Sequence, residues 1–194
     1  MVLRRGPAGR PSLYVACYEA VSSRREARRL WLSEKVCDAQ TLNQHSEISH
    51  TLLALADDTL YLNTNLGAIA PLAADTGRAR WVATYPRTIP SLDDTEPAPA
   101  HLFRDLTPCL VERGWVVAAP ADSNRILFLE ATTGRLLAAT PPADLTSGID
   151  AIHLLGVAGD RLICSGDYLW WIDMHTGGVV SKFPQSGSTA PGLE

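Results

Sequence analysis

The chain has 194 residues, of which 46% are hydrophobic and 20% charged, with a net charge of −4. That length and balance fit one ordinary domain with its own core and exclude wholesale disorder. The acidic balance argues against nucleic acid as a partner, since such domains carry a basic stripe; no apolar run nears the roughly 20 residues of a membrane-spanning helix.

In chain order, Met1-Val-Leu-Arg-Arg-Gly-Pro7 has arginines with no apolar stretch behind them, so it does not read as a secretory signal. A cytoplasmic protein, or a chain lacking its own N-terminus, is the expectation. Residues 1–11 are expected to be a disordered or truncated N-terminus. Residues 12–48 read as a degraded repeat, with strands at Leu13-Tyr-Val-Ala-Cys17 and Leu30-Trp-Leu32. Between them lies Arg24-Arg25-Glu26-Ala27-Arg28-Arg29, read as a solvated charge run.

Residues 49–85 predict four strands, over 51–56, 59–64, 68–72 and 78–85, parted by Asp57-Asp58, by Asn65-Leu-Gly67 and by a Thr76-Gly77 turn. Four short strands with turn residues between them make a meander. Residues 86–106 hold Pro86, Pro90, Pro97 and Pro99 with Asp93-Asp94, and predict a surface loop of the kind that carries binding elements. The meander recurs over 107–140, with turns at Glu112-Arg113-Gly114, Asp122-Ser-Asn124 and Thr133-Gly134. It recurs again over 149–183, with turns at Ala158-Gly159-Asp160, Ser165-Gly166-Asp167 and Thr176-Gly177. The tail, 184–194, is rich in Ser, Gly and Pro and is expected to be disordered.

Gly77, Gly134 and Gly177 lie 57 and 43 residues apart, close to one four-stranded propeller blade per repeat. The prediction is an all-β propeller. At about 45 residues per blade the chain holds about four blades, and it reads as part of a larger propeller.

Residue chemistry adds little. Cys17, Cys37, Cys109 and Cys164 show no metal-binding spacing; two disulfides are permitted but not required, and Cys109 and Cys164 read as buried free thiols. His45, His50, His101, His153 and His175 share no metal-site spacing, and His50 and His175 read as structural. Asp57, Asp58, Asp93, Asp94, Asp122, Asp160 and Asp167 fall in turns, where Asp serves the backbone. Asn63, Thr64 and Asn65 offer a polar rim that a hairpin explains equally well. Trp170 and Trp171 point to opposite faces of a strand, one to the core and one between blades, while Trp81 reads as a blade-docking residue. No residue is assigned as catalytic, cofactor-binding or metal-ligating.

The three turns resemble the pyrroloquinoline-quinone-like (PQQ-like) β-propeller repeat family, whose docking motif runs Ala-x-Asp-x-x-x-Gly-Lys-x-x-Trp. With the turn glycines aligned, Ala73, Glu130 and Asp173 take the acid position, Arg78, Arg135 and Gly178 the basic one, and Trp81, Ala138 and Ser181 that of the tryptophan. The resemblance spans about 51–183. It implies seven or eight blades in a complete member and motif-driven docking of neighbours, looser around the last two repeats. Some members are quinoprotein dehydrogenases acting on alcohols or sugars with bound quinone and calcium; others resemble the non-catalytic propeller lipoprotein of outer-membrane β-barrel assembly. The reading that follows is a non-catalytic protein-interaction scaffold without a cofactor, engaging a protein through loops or blade edges and open to self-association through those edges. The alternative is a fragment of a PQQ-dependent dehydrogenase, with PQQ and calcium. The resemblance also implies a periplasmic or other extracytoplasmic site.

Overall fold

The computed structural model describes residues 2–5, 11–20, 27–38, 51–88, 99–143 and 148–184. Three meanders form its body. In blade I, β6 (Leu53–Ala56), β7 (Thr59–Asn63), β8 (Ala68–Ala73) and β9 (Ala83–Thr84) pair in sequence order. Blade II repeats this with β10 (Leu110–Glu112), β11 (Trp115–Ala118), β12 (Leu127–Glu130) and β13 (Leu136–Ala139). Blade III consists of β14 (His153–Ala158), β15 (Arg161–Ser165), β16 (Leu169–Asp173) and β17 (Val179–Phe183). All pairings are antiparallel, and the first two strands of each blade are joined by two-residue turns.

A leading unit precedes them. Here β1 (Val2–Arg5), β2 (Pro11–Tyr14) and β5 (Cys37–Asp38) form one small sheet, and β3 (Ala16–Tyr18) pairs with β4 (Arg29–Leu32). Two expectations are corrected. The segment 1–11, read as a disordered or truncated N-terminus, supplies β1, whose backbone pairs along β2. The strand expected at 13–17 breaks at Val15, because the Val15 N–H donates to Ser33 Oγ (2.9 Å) while the Ser33 N–H donates to Val15 O (2.8 Å). The fourth strand of blade I is also shorter than 78–85. It keeps 83–84 and a bridge between Leu72 and Ala79, since Pro71 in β8 has no N–H to give the ladder.

Side-chain alternation assigns each blade a near face and a far face. Leu60, Leu62, Ala70 and Leu72 of blade I pack on Leu13, Val15 and Val36 of the leading unit. On its far face, Tyr61 and Ile69 meet Val116, Ala118, Leu127 and Leu129 of blade II. The far face of blade II, with Val117 and Phe128, meets Leu162, Cys164, Trp170 and Ile172 of blade III. Blades buried on both faces read as continuous apolar runs rather than clean alternation. The first strand β10 touches both β6 and β14, so first strands gather at a common axis. The stack is a partial β-propeller.

The insertion is more than a surface loop. Residues 89–98, with Pro90, Pro97 and Asp93-Asp94, lie outside the described residues, as do His45, His50, Arg24 to Glu26 and 185–194. Residues Ala100–Leu106 form a 3-10 helix.

Candidate functional site

The 3-10 helix has three residues per turn, so positions three apart share a face. His101, Arg104 and Thr107 point inward and are buried, whereas Phe103 and Leu106, each 56% exposed, lie on another face. Arg104 holds the helix down. Its Nε donates to Ala151 O (2.6 Å), and its Nη1 to Ser123 O (3.3 Å) and Arg125 O (3.4 Å). Thr107 Oγ1 donates to Ile152 O (2.8 Å). The helix thus bridges the β11–β12 turn of blade II and the segment leading into blade III. Burial lowers the Arg104 guanidinium to about 10, against smaller opposing effects of Cys164 and Asp150. His101 Nε2 is buried and finds no hydrogen-bond partner among the described residues. Burial first, then the Arg104 charge, hold this imidazole below the ordinary histidine range.

Beside the helix, Asp122 in the β11–β12 turn accepts from Tyr85 Oη (2.8 Å) and pairs with Arg87 Nε (2.6 Å). Burial, with Asp122 second, raises the Tyr85 hydroxyl well above its usual range. Asn65, at φ 52°, accepts from the Ala121 N–H (2.9 Å) and from Asn63 Nδ2 (3.1 Å). The polar rim expected of Asn63, Thr64 and Asn65 is therefore buried and tied into the junction of blades I and II. These polar groups position loops; they are not open to a ligand.

The Thr-Gly turns form interblade locks. In each, the glycine N–H donates to the carbonyl four residues back (Gly77 to Ala73, 2.7 Å; Gly134 to Glu130, 2.8 Å; Gly177 to Asp173, 2.8 Å). Trp81 of blade I lies against Gly134, where a Cβ would overlap its ring, and its Nε1 donates to Ala131 O (2.9 Å). Trp31 does the same to Gly77, donating to Ala74 O (3.0 Å). At the third junction the tryptophan position is Ala138, and the Ala139 backbone closes on Gly177 directly. The lost tryptophan brings the main chains together there rather than loosening them.

The leading unit repeats the hydrogen bond that closes this turn. The Glu19 N–H donates to Arg28 O (2.9 Å), as Ala73 does to Arg78 and Glu130 to Arg135 (2.9 Å each). Arg28 pairs with Glu19 (3.3 Å), which gives this unit the acid, the base and, at Trp31, the tryptophan of the motif. Its glycine position is Ala27. With alanine at that position, a search for Thr-Gly passes over the match.

The remaining candidates do not converge. Asp57, Asp58 and Asp160 sit in first-to-second-strand turns, at the opposite end of the blades from Asp122 and Asp167. Asp58 pairs with Arg80 (2.7 Å), and Asp167 donates its N–H to Asp150 Oδ2 (2.7 Å). No three His, Cys, Asp or Glu side chains come together as a metal site among the described residues. These donors, split between two ends and engaged in turns, do not fit calcium with a quinone. His175 stacks edge-on against Trp115 (5.1 Å) and faces Asp160 (3.9 Å) in a shallow cleft of about 220 Å³ that Glu112 and Arg113 also line. His153 is exposed on β14. All four cysteines are free, and burial raises the Cys109 and Cys164 thiols to about 12. Trp170 is buried between blades II and III, while Trp171 is half-exposed on the far face of blade III.

Solved structures decide the likeness. A quinohemoprotein alcohol dehydrogenase from Pseudomonas putida HK5 matches 93% of this chain with 32% of its own, at 13% identity and a TM-score of 0.50. The fold is that of the PQQ-like β-propellers. BamB from Moraxella catarrhalis matches 64% of this chain with 34% of its own (19% identity, TM-score 0.47). A europium-containing methanol dehydrogenase matches 73% with 28% (19% identity, TM-score 0.47). The chain spans about a third of the length of these PQQ-like propellers. No family model matches the sequence, and no curated protein does. Among the described residues no helix is long and apolar enough to cross a membrane.

Sequence reasoning missed the helix. Its signal was the three-residue spacing of His101, Arg104 and Thr107, set against Phe103 and Leu106, a period that neither a strand nor an α-helix template detects.

Proposed function

We propose that this chain is a non-catalytic PQQ-like propeller scaffold that holds a protein partner through its insertion helix. The observation that carries the reading is Phe103 and Leu106, side by side and each 56% exposed, on a helix that Arg104 and Thr107 fasten to two blades. A rigidly presented aromatic anchor binds at a reduced ordering cost, and a few such anchors carry most of an interface's energy. The blades supply the platform and the helix supplies the contact.

The test compares the chain with a Phe103→Ser/Leu106→Ser variant as bait in extract from the source cells. Loss of specific co-purifying bands at an unchanged melting temperature is expected; an unchanged set of bands would sink the reading. A parallel titration with PQQ and calcium addresses the dehydrogenase alternative. Saturable tryptophan quenching together with dye-linked alcohol oxidation would replace the scaffold by an enzyme.

A further inference from the structure

Consecutive blades meet near the axis through their first strands. Ala54 and Ala56 of β6 pack into the layer that holds Cys109 and Val111 of β10. Leu110 of β10 packs in turn into the layer that holds Leu154 and Val157 of β14. At both junctions apolar residues of one first strand cover the next, and β10 touches both neighbours.

The junction of blade I with the leading unit lacks this cover. Leu53 and Leu55 alternate on β6 and pair across to Leu62 and Leu60, so they stand on the face that meets the leading unit. Register equates Leu55 with Val111, which pairs with Val116, and Leu53 with Cys109. Cys109 is buried, whereas Leu53 is 42% and Leu55 65% exposed.

Strand order in the leading unit accounts for the gap. Trp31 docks on Gly77 as Trp81 does on Gly134, so β4 with β5 is a fourth strand and β2 with β3 a third. That makes β1, paired along the other side of β2, a second strand. Among the described residues no first strand lies beyond it, and β1 ends its sheet. Leu13 of β2 already packs on the β7–β8 layer, so a strand added to β1 on the axis side stands over β6. An open row of backbone N–H and C=O groups thus runs beside two exposed leucines.

The segments outside the described residues do not suit this slot. In 6–10, 21–26, 39–50, 89–98, 144–147 and 185–194 no two of Ala, Val, Leu or Ile stand two apart, the spacing that Ala54 and Ala56 use.

We propose that an extended segment of a partner protein fills the slot as the first strand of the leading unit. It runs antiparallel to β1, with small or aliphatic residues at alternate positions on Leu53 and Leu55. Main-chain hydrogen bonds to β1 supply affinity, and the leucines select the side chains. This contact is separate from that of the insertion helix.

The probe is a fluorescein-labelled peptide of eight alternating valines and threonines with a lysine at each end. Titration with the full chain should give a saturable rise in anisotropy, and Leu55→Glu should weaken binding at least about tenfold. Hydrogen exchange in residues 2–5 should slow when the peptide is bound, as free N–H groups enter a ladder. Phe103→Ser/Leu106→Ser should bind the peptide as the native chain does; loss of binding there would move the strand to the helix and overturn the proposal. Absence of saturable binding overturns it too, as does binding that Leu55→Glu leaves unchanged or exchange at 2–5 that does not alter. A mass by light scattering that rises with protein concentration, and returns to 21.0 kDa in Leu55→Glu, would put a second copy in the slot instead. Should Leu55→Glu misfold, the exchange at residues 2–5 decides.

Discussion

Each Thr-Gly turn asks two things of its glycine, a left-handed backbone and an empty Cβ site, and the chain contains a control that separates them. Gly134 has φ 74° and lies under the Trp81 ring; Gly114 has φ 83°, and a Cβ there would meet nothing within 4 Å. Gly114→Ala should therefore cost about 1 kcal/mol, the backbone component alone. Gly134→Ala adds displacement of the indole and should cost about 3 kcal/mol in urea unfolding. In a double-mutant cycle, Trp81→Ala should relieve part of the Gly134→Ala penalty, because the two residues share one contact. Additive costs would mean that the ring is not seated on the turn. Trp81 was readable as a docking residue from its motif position; strand alternation put Trp170 and Trp171 on opposite faces, but Trp171, expected in the core or between blades, lies half-exposed on the far face of blade III. Trp31 was not readable, since Ala27 stands four residues before it, where a glycine was sought.

At the scale of elements, the three meanders were legible because turn residues and apolar runs repeat at blade spacing. The 3-10 helix was not, because its stability comes from Arg104 reaching carbonyls about 20 and 47 residues away, contacts no local pattern encodes. This element carries a pH dependence. The charged groups facing His101 are Arg104 on its own helix and Asp122 on the β11–β12 turn, and the net effect favours the neutral imidazole. The unfolded chain protonates this residue in the ordinary range near 6.5, whereas the folded chain resists until a lower pH. Stability is thus fully present above that range and is lost as pH falls from it toward the lowered folded value. Urea midpoints at pH 7.5 and 5.5 should differ more for the native chain than for His101→Gln, which keeps a donor but does not titrate. Equal pH differences would show that His101 stays solvated or partnered.

For the whole molecule, stability is close to a sum over neighbouring blades, because each apolar layer lies between two consecutive units rather than in one central core. Among the described residues, blade II is packed on both faces and blade III on one. The end of such a stack opens at a lower free energy than its middle. The cysteines report this without added labels: Cys109 belongs to the layer between blades I and II, and Cys164 to that between II and III. With both thiols buried and pushed up to about 12, neither reacts from the folded state. In a series of sub-denaturing urea concentrations, a chromogenic disulfide should modify Cys164 before Cys109. Peptide mapping distinguishes the two. Simultaneous modification would mean that the blades unfold as one cooperative unit, and that the layers are coupled more strongly than their separate packing implies.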